Sequence, residues 1–281
     1  MKKIIKNILK ILAKGIILIS SKINAGRYFV DELIRSILQI KKTVKHDNLE
    51  FKFYTPNRLN YFRVDTFSTK EPETQEWINT FKKNGIFWDV GANIGLYSCY
   101  AAKHLGCQVY AFEPSVFNLE LLTKNIYINS LSEKIIIVPF PLGEETDVKP
   151  FHMSLTEWGG ALSNFGQSID YDGLPTSSVL SYQTVGMSID SCINILNFKK
   201  PNYIKLDVDG IEHLILKGAK DTLLDVESLL VEVNDGYEEQ ARGVKEYLTK
   251  AGFKLKEKRQ SELIKKSSGA KLKLYNQIWV R

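Results

Sequence analysis

The chain has 281 residues and is 44% apolar, the composition of a globular protein with a sizeable core. Three cysteines (Cys99, Cys107, Cys192) form neither a CxxC pair nor an even framework, which excludes a disulfide scaffold and reads as reduced, packed thiols of an intracellular protein. The net charge of +6 is uneven: residues 1–46 hold 11 Lys/Arg against 2 Asp/Glu, and the other 235 residues hold 27 against 30, so the basicity belongs to an arm and argues against nucleic-acid binding by the body.

The arm opens on MKKIIKNILKILAKGIILIS. At 100° per residue Ile5, Ile8, Leu9, Leu12, Ile16 and Ile19 share one arc of about 100°, and Lys3, Lys6, Lys10 and Lys14 gather on the opposite side. Lys10 and Lys14 interrupt a run that would need about 20 mostly apolar residues to span a bilayer. The apolar stretch after Lys14 is too short for a cleaved signal peptide. The helix either packs on the body or on a partner, or lies on an anionic membrane surface through residues 1–22. The one-signed polar face favours the second reading, a cytoplasmic protein held peripherally on the inner membrane face. The arm is drawn at 1–46 and the body at 47–281.

From about residue 48 the texture changes. LEFKFYTP and YFRVDTF alternate in the β manner and predict a hairpin turned at Pro56-Asn57. Glu73 to Lys83 reads as a helix. Strands and helices then alternate: strand 85–90, helix 95–104, strand 107–113, a helix from Val116 to about Asn129, and the strand KIIIVPF. The polar stretch 143–183 is too long for an ordinary connection, so it is functional or partly disordered. SIDSCINIL is a short helix, NYIKLDV a strand, IEHLILKGAKDTLL a helix, SLLVEVN a strand and 236–251 a helix. GFKLKEK and LKLYNQIWV close the chain as strands around the Lys265–Ala270 loop. The alternation predicts an α/β sheet of mostly parallel strands, with ligands at their carboxyl ends, and no internal repeat is visible.

FWDVGANIGLYS is the most informative segment. A buried strand delivers Asp89, and Gly91-Ala92-Asn93-Ile94-Gly95 turns tightly into a helix whose N-terminus offers N–H groups. The next strand ends in FEP, with Glu113 about 20 residues beyond the glycines, where an acid accepts hydrogen bonds from ribose hydroxyls. The dinucleotide fingerprint requires G-x-G-x-x-G. Here the spacing is G-x-x-x-G, and Asp89 would repel a pyrophosphate. The ammonium of S-adenosylmethionine would be attracted to such a carboxylate, and its own carboxylate could take loop amides. The bland alternative is a tight strand–helix turn with an unrelated acid.

These segments resemble the FkbM-type methyltransferases, a branch of the class I S-adenosylmethionine-dependent enzymes. The likeness lies in TKEPETQEWI, FWDVGANIGLYS, AFEPSVFNLELLTKNI and SIDSCINIL…NYIKLDVDGIEHLILKGA, in that order, over roughly residues 48–235. It implies a Rossmann-like seven-stranded sheet with helices on both faces, S-adenosyl-L-methionine as cofactor, and methyl transfer usually to a hydroxyl. It places Asp89, Gly91, Ala92, Asn93 and Gly95 on the cofactor loop, Glu113 at the ribose and Asp207 at the end of the fourth strand. Asp209 departs from the pattern, where the family more often has Glu. The arm 1–46 and the detail of 143–183 lie outside the likeness.

Methyl transfer to a hydroxyl needs a base for the hydroxyl proton or a metal that lowers its pKa. Along a strand alternate residues share a face, so Lys205 and Asp207 point the same way. Asp207 is the first candidate for contact with the acceptor or the sulfonium end; the competing reading is a structural ion pair with Lys205. Glu232, ending the neighbouring strand, could join Asp207 around an acceptor or a divalent ion. No metal-spaced cluster is present, so no metal site is assigned. His213 reads as a packing residue, and His152 reaches the site only if 143–183 is a lid. Glu71 and Glu73 read as acids at a helix N-terminus, with closure over the cofactor as the other possibility.

The segment 143–183, with Trp158, Phe165 and Tyr171, is the expected acceptor-binding insertion, since aromatic faces suit sugar rings. In YIKLDVDGIEHLI the spacing fails a calcium loop, because Gly210 follows Asp209 directly and Glu212 comes too early. Asp209 and Glu212 then read as an architectural helix cap. The expected activity is O-methylation of a sugar, glycan or lipid-linked intermediate. A nicotinamide-dependent oxidoreductase is opposed by the loop spacing and Asp89. A non-catalytic membrane-docked module is opposed by the intact set Asp89, Glu113 and Asp207.

Overall fold

The computed structural model describes residues 2–261 and 273–281; the expected Lys265–Ala270 loop lies outside them. Helices α1 (Lys2–Ser20) and α2 (Asn24–Leu38) meet where Gly26 crosses Ser20, so closely that a β-carbon on Gly26 would sit 2.1 Å from the Ser20 carbonyl oxygen. Helix α2 ends at Leu38, so the last residues counted with the arm, 41–46, form a strand. Strands β1 (Lys41–His46) and β2 (Leu49–Tyr54) pair antiparallel around Asp47-Asn48. Both turn residues have positive φ, 47° and 62°, as a two-residue hairpin turn requires.

This displaces the expected hairpin by one element. LEFKFY is its second strand, and most of YFRVDTF is helical, in α3 (Arg58–Asp65). Asn57 decides the outcome. Its Oδ1 accepts from the backbone N–H of Asn60 at 2.8 Å, the bond that starts a helix. The next helix, α4 (Pro72–Ile78), is shorter than the 73–83 expected.

The α/β alternation then runs β3 (Ile86–Val90), α5 (Leu96–Leu105), β4 (Gln108–Phe112), α6 (Val116–Ile128) and β5 (Ile135–Val138). The segment 143–183 is neither a bare loop nor a disordered stretch. It supplies β6 (Asp147–Met153), β7 (Ser163–Phe165) and most of β8 (Leu180–Gly186), a separate antiparallel sheet in the order β7-β6-β8. Helix α7 (Ile189–Leu196), β9 (Tyr203–Leu206) and α8 (Glu212–Lys217) follow. The helix expected over IEHLILKGAKDTLL breaks at Gly218 and resumes as one 3-10 turn, Thr222–Leu224. The chain ends with β10 (Ser228–Asn234), α9 (Glu238–Lys250), β11 (Lys254–Arg259) and β12 (Leu274–Val280).

Seven strands form the main sheet in the order β11-β12-β10-β9-β3-β4-β5. Strands β5, β4, β3, β9 and β10 run parallel, and β12 is antiparallel to both neighbours. The order reverses between β3 and β9, where a doubly wound sheet opens a crevice at its carboxyl edge. Alternation along β3 sends Phe87 into one apolar layer, with Phe51, Phe53 and Trp77. It sends Trp88 and Val90 into the other, with Phe112, Leu206 and Ile215. Among the described residues no helix is long and apolar enough to cross a membrane.

Because Asn57 caps α3 and also holds the Trp158 carbonyl through Nδ2 (2.9 Å), Asn57→Ala should lower unfolding free energy by about 1–2 kcal/mol in urea titrations. An unchanged midpoint would remove the cap from this account.

Candidate active site

At the carboxyl edge of the sheet β3 turns into α5 through the glycine loop. Gly91 has φ +85° and passes so close to the end of β9 that a β-carbon would lie 1.9 Å from the Asp207 carbonyl oxygen. The loop amides are already used. Gly91 and Ala92 donate to the Phe112 carbonyl, Asn93 to Glu113, Ile94 to the Asn93 side chain and Gly95 to the Ala92 carbonyl. The expectation that these amides receive a ligand carboxylate is therefore corrected. The next residues, Leu96 and Tyr97 in the first turn of α5, line the cavity adjoining the main one and bring the positive end of the helix to it.

Glu113 follows β4 and is held on both oxygens. Oε2 accepts from the Asn93 N–H and Oε1 from the Ser115 N–H, each at 2.8 Å. Its carboxyl faces the main cavity. Burial pushes its pKa up to about 7 against the pull of those two amides. A carboxylate has about four lone-pair sites, so beside these two amides and the Asn118 side chain one stays available for a hydroxyl donor.

Lys205, on β9, is 2% exposed, and its Nζ donates to Asp207 Oδ2 at 2.6 Å. Burial alone would lower its pKa, but the charges of Asp207, Asp89 and Glu71 outweigh it and raise the pKa, so the ammonium persists. The ion pair that competed with a functional reading of Asp207 is therefore present. Asp207 nonetheless lines both cavities. Burial would raise its pKa, and Lys205, with Lys70 and Arg63, reverses this and holds it below the ordinary carboxylate range. Lys205 lines only the adjoining cavity, and a permanently charged ammonium takes no proton; its role is to hold carboxylates in place. Asp89 lies under the glycine loop. Its Oδ2 accepts from Ser98 Oγ at 2.5 Å, while Oδ1 is buried without a partner. Burial raises its pKa against the opposing charge of Lys205. Gly95 opens α5 and Ala92 lines the adjoining cavity, while neither Asp89 nor Gly95 lines either of these two cavities.

The main cavity has a volume of about 370 Å³. Glu232, on β10, lines it. Burial, then the charges of Asp207, Asp209 and Glu71, raise its pKa well above the ordinary value. Asp209 also lines it, in contrast to its reading as a helix cap. Its Oδ2 accepts from the Leu162 N–H at 2.7 Å, and burial with the Asp207 charge pushes its pKa up to about 6. Glu212 is architectural as expected, accepting from the N–H groups of Val208 and Gly210. Glu71 lines both cavities and accepts from Lys70 and from the Tyr97 hydroxyl, so it belongs to the site; Glu73 is buried against Asn276.

From the insertion, Phe165 and Tyr171 line the main cavity. Trp158 does not; its indole donates to Glu120. His152 and His213 line neither cavity. The sequence reading missed Arg63 and Lys70, which line both. The signal for Arg63 was Asn57, whose cap makes 58–65 a helix.

These residues fit S-adenosylmethionine. Glu113 offers a fixed acceptor to ribose hydroxyls, and the adjoining cavity carries both signs of charge, from Lys70, Glu71 and Asp207, as an amino-acid end requires. The volume is that of a small-molecule site.

Comparison with known proteins follows the same lines. Residues 89–255, more than half of the chain, match the model of the methyltransferase FkbM domain. The hexuronic acid methyltransferase AglP of Haloferax volcanii is 28% identical over 156 residues, covering 55% of this chain and 58% of the relative. A tRNA (guanine(37)-N(1))-methyltransferase of Dictyostelium discoideum is 28% identical over 131 residues, 47% of this chain and 26% of the relative. The chain thus matches less than two thirds of the length of either curated relative. A methyltransferase FkbM structure from Methylobacillus flagellatus superposes with a TM-score of 0.51 at 14% identity, covering 88% of this chain and 58% of that one, which shows a shared fold.

Two outcomes are expected. Gly91→Ala should abolish S-adenosylhomocysteine binding in calorimetry, since its β-carbon must displace the Asp207 backbone; binding within a factor of two of the unaltered chain would refute this. Hydroxyl donors favour the ionised Glu113 carboxylate, so affinity should rise with pH through about 7. The gain from pH 6 to pH 8 should be about tenfold and should vanish in Glu113→Gln.

Proposed function

This chain belongs to the FkbM methyltransferase family, with S-adenosylmethionine as its methyl donor, and we propose that it methylates a hydroxyl of a sugar, glycan or lipid-linked saccharide. One observation carries the reading: the Glu232 carboxyl faces the main cavity with its pKa raised by burial and by Asp207, Asp209 and Glu71. A carboxylate made more basic in this way is suited to take the proton of an attacking hydroxyl.

Asp207, kept ionised by Lys205, would accept a hydrogen bond from the acceptor and hold the attacking oxygen in line. Glu113 would anchor the ribose, and Phe165 and Tyr171 offer apolar surface to a sugar ring. When bound, S-adenosylmethionine supplies an already activated methyl group on its sulfonium, so the work left to the chain is alignment and proton removal. Asp89, Gly91, Ala92, Asn93 and Gly95 would form the floor under that cofactor.

The hexuronic acid methyltransferase among the relatives supports a saccharide acceptor. The tRNA methyltransferases support a second reading, a purine ring nitrogen. The body's 27 Lys/Arg against 30 Asp/Glu and the acids in the cavity favour the saccharide over a polyanion. The lysine-rich arm supports a lipid-linked acceptor and a peripheral place on the inner membrane face.

Incubation with methyl-labelled S-adenosylmethionine, neutral and uronic-acid glycosides, lipid-linked saccharides and a tRNA transcript should label a saccharide hydroxyl; label in the tRNA alone would overturn the proposal. Glu232→Gln should cut kcat by about 10²–10⁴ and remove the rising limb of the pH–rate profile, with S-adenosylhomocysteine affinity unchanged.

A further inference from the structure

The arm presents an apolar surface that the body does not cover. Ile5, Ile8, Leu9, Leu12, Ile16 and Ile19 on α1 are all exposed, as are Phe29, Leu33 and Ile34 on α2. Helix α1 has no acidic residue, and Lys3, Lys6, Lys10 and Lys14 lie opposite its main apolar arc. An exposed apolar face of this extent calls for a covering partner. Four lysines with no acid between them fit an anionic one. On α2 the charges cancel, two arginines against Asp31 and Glu32, and Arg35 pairs with Asp31.

The arm is also tied to the mouth of the active site. It leads within two residues into β1, and Lys42 of β1 makes an ion pair with Asp65 of α3 and lies 4.0 Å from the ring centre of Tyr61. Helix α3 is the element that carries Arg63 into both cavities. The two residues ahead of Arg63 are exposed, Tyr61 at 52% and Phe62 at 45%. A β1–α3 brace thus carries two exposed aromatic rings and a wall of the catalytic cavity, and the lysine helix precedes it in the chain through α2. Aromatic rings of this kind settle at the headgroup level of a bilayer.

We propose that α1, α2 and the Tyr61–Phe62 edge of α3 form one surface that docks on an anionic lipid bilayer, turning the cavity mouth toward the membrane so that the acceptor arrives from the lipid surface. Lateral delivery would raise the local acceptor concentration without new contacts in the site, as tethering does elsewhere. The inference rests on the saccharide-methyltransferase reading for what is delivered, but the docking is measured without turnover.

The test is co-sedimentation of the full chain with phosphatidylcholine vesicles, with and without 30 mole per cent phosphatidylglycerol (about a physiological anionic fraction). Binding should require the anionic lipid and weaken as salt is raised. Lys6→Glu/Lys10→Glu/Lys14→Glu should reduce the bound fraction by about tenfold or more. Tyr61→Ser/Phe62→Ser should reduce it several-fold with the circular dichroism spectrum unchanged. Phe62→Cys carrying an environment-sensitive dye should shift to the blue on these vesicles; the three native cysteines are buried and stay unlabelled. Equal binding to neutral vesicles, no binding, or a stable dimer that buries the arm and ignores vesicles would overturn the proposal. A missing blue shift would overturn the orientation. S-adenosylhomocysteine titration on the same samples separates the two readings: docking can fail with cofactor binding intact, and the reverse failure would strike the enzyme reading alone.

Discussion

The buried ammonium of Lys205 is the charge on which the carboxyl edge of the sheet depends. Asp89, Asp207 and Glu71 surround it; Asp89 and Glu71 are buried, while Asp207 opens onto both cavities. Carboxylates so placed would otherwise repel one another and take up protons. One lysine at the end of β9 keeps Asp207 ionised, while Glu232, beyond its direct reach, stays protonated to higher pH. Two acids on neighbouring strands are thereby held in different states of ionisation by their surroundings, which the proposed transfer to a hydroxyl would use for holding and for proton removal.

Around that charge the chain builds a floor and a roof. The floor is the glycine loop, whose amides are consumed internally and so fix its shape, with Glu113 clamped by two of the surrounding N–H groups. The roof is the segment around residues 158–163. Asn93 and Asn118 donate to the Gly160 carbonyl, Arg63 to the Gly159 carbonyl, and Asn57 and Asn60 to the Trp158 carbonyl. Below it, Glu212 accepts from Val208 and Gly210 and bonds Gln240, which holds Asp209 at φ +61° facing the cavity.

The sheet was legible because its strands are short apolar runs separated by glycine turns and periodic helices, and the floor was legible because DVGANIG and FEP carry their chemistry within a few residues. The hairpin was misplaced because LEFKFY and YFRVDTF both alternate; the decision lay in one side chain, Asn57, and in the positive-φ pair Asp47-Asn48. Asp209 was taken for a cap because its spacing to Glu212 suits one, yet Ile211 is the residue at the start of α8, and Asp209 turns away to meet Leu162. Arg63 and Lys70 reach the site through tertiary folding, and neither the cap at Asn57 nor the segment TKEPETQEWI says by itself that they face a cavity. The sheet in 143–183 was hidden by its polar, glycine-broken sequence, since its strands are half exposed and bury little.

Asn93 gives the floor and the roof a common member. Its backbone N–H holds Glu113, the acid proposed to meet the cofactor's ribose, and its side-chain amide holds the Gly160 carbonyl of the insertion. An acceptor that displaces the insertion would disturb Asn93 together with Asn118, and a cofactor that draws on Glu113 would disturb Asn93 together with Ser115. Thermodynamic linkage then makes the traffic two-way: whatever factor the acceptor imposes on cofactor affinity, the cofactor imposes on the acceptor. The spent cofactor and the methylated product would be bound by the same reciprocity, each changing the other's affinity by one common factor.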